Sequence, residues 1–149
     1  MSDQTAFTVV SPSTAADFEQ YYDLRWRMLR APWQQPRGSE KDDREAEAVH
    51  VMAIDPGRRV LAVGRVHLNS PAEAQVRFMA VDESDQNRGL GRALLQELEF
   101  RARKAGAKRL VLNARENIKG FYVKNGYVIT GPAPTIFSVV KHVRMAKEL

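Results

Sequence analysis

The chain of 149 residues contains no cysteine. That removes disulfides, thiolate metal sites and any cysteine-bound acyl intermediate from consideration. It also lacks an apolar run near the roughly 18 to 20 residues that a membrane-spanning helix needs. Residues 1 to 10 show no basic segment followed by an apolar stretch, so no secretory signal is read there. These absences predict a soluble, cytoplasmic protein. The length suits one domain over residues 1 to 149, and 44% hydrophobic residues supply a core.

The charge excess is local. Residues 88 to 109 carry seven basic side chains (Arg88, Arg92, Arg101, Arg103, Lys104, Lys108 and Arg109) against Glu97 and Glu99, a net +5. That equals the net charge of the whole chain, so the remainder balances. Such a segment suits a phosphate-bearing ligand, nucleic acid or a solvated helix face. No aromatic-interleaved basic surface is evident, which ranks nucleic acid last.

Periodicity predicts a strand over residues 7 to 10 and a helix capped at Ser13 or Thr14 that runs to about Arg30, where Pro32 stops it. Residues 31 to 39 read as a loop and 40 to 47 as a short helix. Strands follow over 49 to 54, 60 to 68 and 75 to 81, joined by turns at 55 to 58 and 69 to 71. Leu90, Leu94, Leu98 and Ala102 recur every four residues in a helix that starts at Gly89 and ends before Gly106. A strand over 109 to 112, a helix over 118 to 124, and strands over 127 to 130 and 137 to 145 complete the order. Gly131-Pro132-Ala133-Pro134 reads as the turn between the last two. The fold class is α+β, a mixed sheet with helices on its faces.

The segment with chemical content is Gln86-Asn87-Arg88-Gly89-Leu90-Gly91 between a strand and a helix. Gly89 and Gly91 let an anion approach the backbone, and the N–H groups of residues 88 to 92 have no intrahelical acceptor. With the helix dipole they would hold a pyrophosphate, aided by Arg88 and Arg92. A ligand-free turn shows the same glycines. The third glycine of a dinucleotide fingerprint would fall at Leu94, and no Gly-Lys-Ser/Thr of a nucleotide P-loop is present.

Gln86-x-x-Gly89-x-Gly91 resembles the Gln/Arg-x-x-Gly-x-Gly/Ala motif of the GCN5-related N-acetyltransferase (GNAT) family. Met79-Ala80-Val81-Asp82 resembles the strand end before it. Leu112-Asn113-Ala114-Arg115-Glu116-Asn117, then Gly120-Phe121-Tyr122-x-Lys124-x-Gly126-Tyr127, resembles the family's downstream signature, and His142-Val143-Arg144-Met145 its closing strand in some members. The resemblance spans residues 60 to 146. It implies a three-layer α/β/α domain whose largely antiparallel sheet splays between the strands ending at Val81 and near Asn113. Acetyl-CoA would lie in that gap as co-substrate, with no metal. Met79, Ala80 and Val81 would bond the pantetheine, and Gln86, Asn87, Arg88, Gly89, Leu90, Gly91 and Arg92 the pyrophosphate. Asn117 would bond the pantetheine or cap the helix at Ile118. Tyr122 would stabilise the departing thiolate by a hydrogen bond or a proton.

The implied activity is direct acetyl transfer to an amine of a small molecule or protein in a ternary complex. No nucleic-acid or membrane partner is expected, and a homodimer remains open. A non-catalytic acyl-CoA sensor is the alternative, with a basic nucleic-acid-binding module behind it. Many family members carry a glutamate on the strand before the motif, but Gln75-Val76-Arg77-Phe78-Met79 has none. The base that deprotonates the amine is therefore open among His67, His142, Glu45, Glu47 and water. Trp33 is a candidate for lining the acceptor site. Glu40, Asp42, Asp43, Glu45 and Glu47 read as a solvated helix face or a lure for a cationic substrate.

Overall fold

The computed structural model describes residues 6–149, so the reading of residues 1 to 10 lies partly outside them. Thr14 caps the first helix. Its hydroxyl accepts from the Asp17 N–H at 3.1 Å, and the Asp17 carboxylate accepts in return from the Thr14 N–H. This reciprocal box is worth about 1 kcal/mol to the helix start. The elements are β1 (Thr8–Val10), α1 (Ala15–Leu29), β2 (Val49–Ile54), β3 (Val60–Leu68), β4 (Glu73–Val81), α2 (Leu90–Lys104), β5 (Arg109–Arg115), α3 (Lys119–Lys124), β6 (Val128–Ile136) and β7 (Val140–Glu148). A 3₁₀ turn over Ala31–Trp33 replaces part of the expected loop.

The seven strands form one sheet in the order β1-β2-β3-β4-β5-β7-β6. Only β4 and β5 run parallel; every other neighbouring pair is antiparallel. Alternation along β2 sets the layers. Val51 and Ala53 pack with Leu90, Leu94 and Leu98 of α2. Met52 and Ile54 pack with Tyr21 and Leu24 of α1. Tyr122 of α3 joins the α2 side, so helices cover both faces as expected.

Two expectations fail here. Residues 40 to 47 form turns, with no helix. Residues 131 to 134 are not a turn but lie within β6. β6 is an edge strand, where a proline's missing N–H deprives no partner. The hairpin instead reverses at Phe137 and Ser138, both with positive φ (54° and 63°), and Val139 donates to the Ile136 carbonyl at 3.2 Å. Two consecutive positive φ values match the twist of a two-residue hairpin.

The feature that positions the site is a bulge in β4. Val63 pairs with Ala80 and Arg65 with Arg77, so Gly64 alone faces Phe78 and Met79. Phe78 adopts φ +61°, a left-handed conformation rare for a bulky residue. The extra residue switches the facing of the strand: Ala74 and Val76 join the α2 side, whereas Ala80 joins the α1 side. Parallel pairing of β4 with β5 ends at Gln75 and Val111, and the two strands part beyond it.

Gly64 is the partner this bulge requires. A Cβ there would lie 2.9 Å from Leu98 Cδ1 and 3.3 Å from Met79 Cγ. Gly64→Val should therefore lower the unfolding free energy by about 1–3 kcal/mol through overpacking, measured by urea denaturation.

Candidate active site

Where β4 and β5 separate, a cleft of about 890 Å³ opens. Gln75 to Val81 form one wall and Leu112 to Arg115 the other, closed by the 86–92 loop, Phe121, Tyr122, Arg30 and His142. Of the residues expected at the cofactor site, Met79, Ala80, Val81, Gln86, Asn87, Gly89, Gly91, Arg92 and Tyr122 line it. Arg88, Leu90 and Asn117 do not.

Each of those three has a visible reason. Leu90 is 1% exposed and packs in the core. The Arg88 guanidinium turns to buried Asp85, Nη1 to Oδ1 at 2.6 Å, where Arg59 also binds. Asn117 is exposed in a 3₁₀ turn, and no side chain caps that turn or α3, so the capping reading fails. Arg88 and Leu90 are left with only their backbone N–H groups to offer a ligand.

Those groups are available. Among the described residues, no N–H from Gln86 to Arg92 donates to a protein acceptor; the first bond of α2 is Ala93 N–H to the Gly89 carbonyl at 3.1 Å. Asn87 and Gly89 have φ of +64° and +78°, which folds the donors into a concave nest. Gln86 braces the loop, its side-chain amide donating to the Val81 carbonyl at 2.7 Å. A Cβ on Gly89 would meet nothing within 4 Å and would project into open space. At Gly91 it would sit 3.3 Å from the Phe121 ring, so this glycine also admits Phe121.

Tyr122 is 7% exposed, wedged edge-on between Phe121 and Tyr127. Its hydroxyl meets only the Met79 sulfur, at 3.8 Å, a weak acceptor. Burial pushes its pKa up to about 12, partly opposed by Arg115. The hydroxyl thus stays protonated and has a hydrogen bond to spare.

The base candidates separate cleanly. The Arg65 guanidinium donates to His67 Nδ1 at 3.2 Å, and Nε2 lies 3.1 Å from Asn69 Oδ1; neither nitrogen faces the cleft. Glu45 is bound by Arg25 and Arg65 at 2.9 and 2.8 Å, and Glu47 pairs with Arg44. His142 lines the cleft. Its Nδ1 sits 2.9 Å from the Val140 carbonyl, which assigns the proton to Nδ1 and leaves Nε2 as an acceptor. Burial lowers its pKa, and Arg115, Arg30 and Arg77 lower it further against the opposing Val140 bond, so the ring is neutral near pH 7.

The acidic 40–47 segment neither faces solvent as a helix nor lines the cleft. Arg25 and Arg65 are fully buried, and Asp42 and Glu45 neutralise them, Asp42 at 2.6 Å from Arg65. Those two acids are therefore held by arginines and are not displayed to a cationic substrate. Trp33 does not line the cleft but lies beneath Arg115, 4.6 Å from its guanidinium carbon. The sequence reading missed Arg30, Arg77 and Arg115, which do line it. Arg77 had a signal, a polar position on an alternating strand; nothing local marked the other two.

On the basic helix Arg101 is neutralised by Glu97 at 2.9 Å, whereas Glu99 turns to Lys147 of β7 at 3.1 Å. Among the described residues, no helix is long and apolar enough to cross a membrane, and no group of three or more His, Asp or Glu could hold a metal ion.

The model of the Acetyltransferase (GNAT) family matches residues 18–127. The N-acetyltransferase YjcF of Bacillus subtilis is 26% identical over 113 residues, covering 76% of this chain and 79% of its own. An aminoglycoside 6'-N-acetyltransferase complexed with coenzyme A superposes with a TM-score of 0.79 at 18% identity, over 96% of both chains. A GNAT family acetyltransferase from Elizabethkingia anophelis with acetyl-CoA bound gives 0.75 at 19% identity, over 96% of this chain and 98% of that one. At these identities the structures establish the fold.

Gly89→Asp puts a carboxylate into the open side of the nest. The variant should keep its fold, since the added side chain meets no protein atom and the left-handed φ of +78° costs only about 1–2 kcal/mol, and should lose binding of coenzyme A. Isothermal calorimetry on the folded variant measures this.

Proposed function

The chain belongs to the acetyltransferase (GNAT) family, and from that premise we propose that it transfers acetyl from acetyl-CoA directly to an amine, with Tyr122 and His142 as its catalytic residues. The observation that carries this is the convergence, in one cleft, of a donor nest, a spare tyrosine hydroxyl and a neutral imidazole with a free nitrogen. The nest suits the pyrophosphate, Arg92 beside it suits a phosphate oxygen, and the Met79 to Val81 segment lining the cleft suits the pantetheine arm.

Bound acetyl-CoA supplies a thioester carbonyl and a thiolate leaving group. The residues act around that chemistry. His142 Nε2 accepts the proton of the attacking amine, which near pH 7 is otherwise largely an ammonium. Nearby Arg30, Arg77 and Arg115 disfavour that ammonium as they disfavour imidazolium. Tyr122 donates a hydrogen bond where negative charge collects. A hydroxyl with a pKa near 12 stays protonated beside a thiolate whose reference value is about 8.5, so it stabilises charge more than it surrenders a proton. The acceptor reaches this point through the mouth formed by Arg30, Arg115, Ile136 and His142.

Tyr122→Phe keeps the ring packing and removes the hydroxyl. Turnover should fall at least tenfold, within the usual range of about 10² to 10⁴ for such assistance or just below it, while acetyl-CoA affinity holds. Thiol release and calorimetry provide the two readings. For His142, activity should fall as pH drops through a pKa below the ordinary 6.5 and the imidazole protonates. His142→Gln should lower the rate and erase that acidic limb in a pH–rate profile.

A further inference from the structure

The charge of the cleft is one-sided. Among the described residues, four arginines line it (Arg30, Arg77, Arg92 and Arg115) and no aspartate or glutamate does. Arg92 belongs to the phosphate nest. The other three gather around His142 at the opposite side, where each depresses its proton affinity.

Their partners differ. Arg77 pairs with Asp42 at 2.8 Å, but that carboxylate is also bound by Arg65. Arg30 donates to the Ser39 and Leu29 carbonyls at 3.0 and 2.9 Å, and those carry no charge. Arg115 makes no hydrogen bond or ion pair among the described residues; its guanidinium carbon lies over the Trp33 ring, and the half-buried side chain lines the cleft. An arginine held by its face has its edge donors free for a planar anion.

Arg115 and His142 are direct cross-strand partners on β5 and β7. Such partners carry Cβ atoms about 5 Å apart on one face. An acceptor nitrogen at His142 therefore has Arg115 within a few bonds.

We infer that the acceptor is a short amine carrying an anionic group, carboxylate or phosphate, a few bonds from its nitrogen, with Arg115 as the residue that binds the anion and Arg30 and Arg77 adding to the field. This rests on the acetyl-transfer reading above. It sets the chain apart from enzymes whose acceptors are polycations: a polyamine would bring a second positive charge to three arginines and find no carboxylate in the cleft.

The test compares thiol release from acetyl-CoA across four amine pools: α-amino acids, their carboxamides, aminoalkyl phosphates with their parent amino alcohols, and polyamines. The expected result is turnover of an acid or phosphate at least tenfold faster, in kcat/KM, than its neutral counterpart, with KM for it rising as salt is added. The carboxylate and phosphate pools report which anion is used. Arg115→Gln should raise KM for that acceptor at least tenfold and collapse the acid-to-amide ratio; Arg115→Lys, with the charge but not the fork, should fall between.

Three results would overturn the inference: preference for neutral or cationic amines; an acid-to-amide ratio that survives Arg115→Gln; or a protein that binds acetyl-CoA but acetylates none of the anionic amines. Loss of acetyl-CoA affinity in Arg115→Gln with the ratio intact would place the arginine on the cofactor and overturn it too. The full panel separates these from failure of the parent reading: in that case no amine of any pool releases thiol from acetyl-CoA, whether or not calorimetry shows the cofactor bound.

Discussion

One backbone torsion governs this molecule. Phe78 holds φ at +61° in the middle of a nine-residue strand, a conformation that costs on the order of 1–3 kcal/mol for a non-glycine residue. The surroundings over-determine it. Gly64 opposite leaves room for the neighbouring Met79 of the bulge, and four guanidinium groups, from Arg25, Arg30, Arg65 and Arg77, lie 4.4 to 5.5 Å from the Phe78 ring centre. Such contacts strengthen when desolvated, and Phe78 is only 8% exposed. The return on this strain is the bulge, which parts β4 from β5. Without the parting there would be a closed sheet and no cleft.

Two of those guanidiniums belong to residues with no exposure at all, Arg25 and Arg65. A buried cation is tolerable only with a counter-ion and hydrogen bonds. Asp42 and Glu45 provide the charge, and Tyr21 and the Glu40 carbonyl accept from Arg25 at 3.0 and 3.1 Å. The acids of the 40–47 segment are thus consumed in supporting the bulge. Among the described residues the cleft holds arginines and no acid of its own; burial and those cations keep His142 neutral, and burial keeps Tyr122 protonated.

The same constraint explains which parts were legible in the sequence. Helix starts and turns are local: Thr14 with Asp17, Pro32 and Gly106 act within four residues. The phosphate loop was equally readable, because its donors are set by the glycines and the first helical turn. The failures are long-range. Pro132 and Pro134 read as a turn because nothing local reveals that β6 lies at a sheet edge. Glu45 looked like a free acid because its partners are 20 residues away in either direction.

By itself the sequence determined the order of elements and displayed a glycine loop from Gln86 to Gly91 at a helix start. Those depend on short-range spacing, which the linear chain displays in full. Only the tertiary structure separated the base candidates by position, with His142 lining the cleft and His67, Glu45 and Glu47 away from it. His67, Glu45 and Glu47 were equivalent to His142 as residues, and they differ in which partners the sheet brings to them. Nor could sequence announce the cationic cleft, since Arg30, Arg77 and Arg115 come from a helix end and two strands separated by α2. Their positions become neighbours because the bulge at Phe78 and the β5–β7 pairing bring them together, and pairing at that distance is a property of packing.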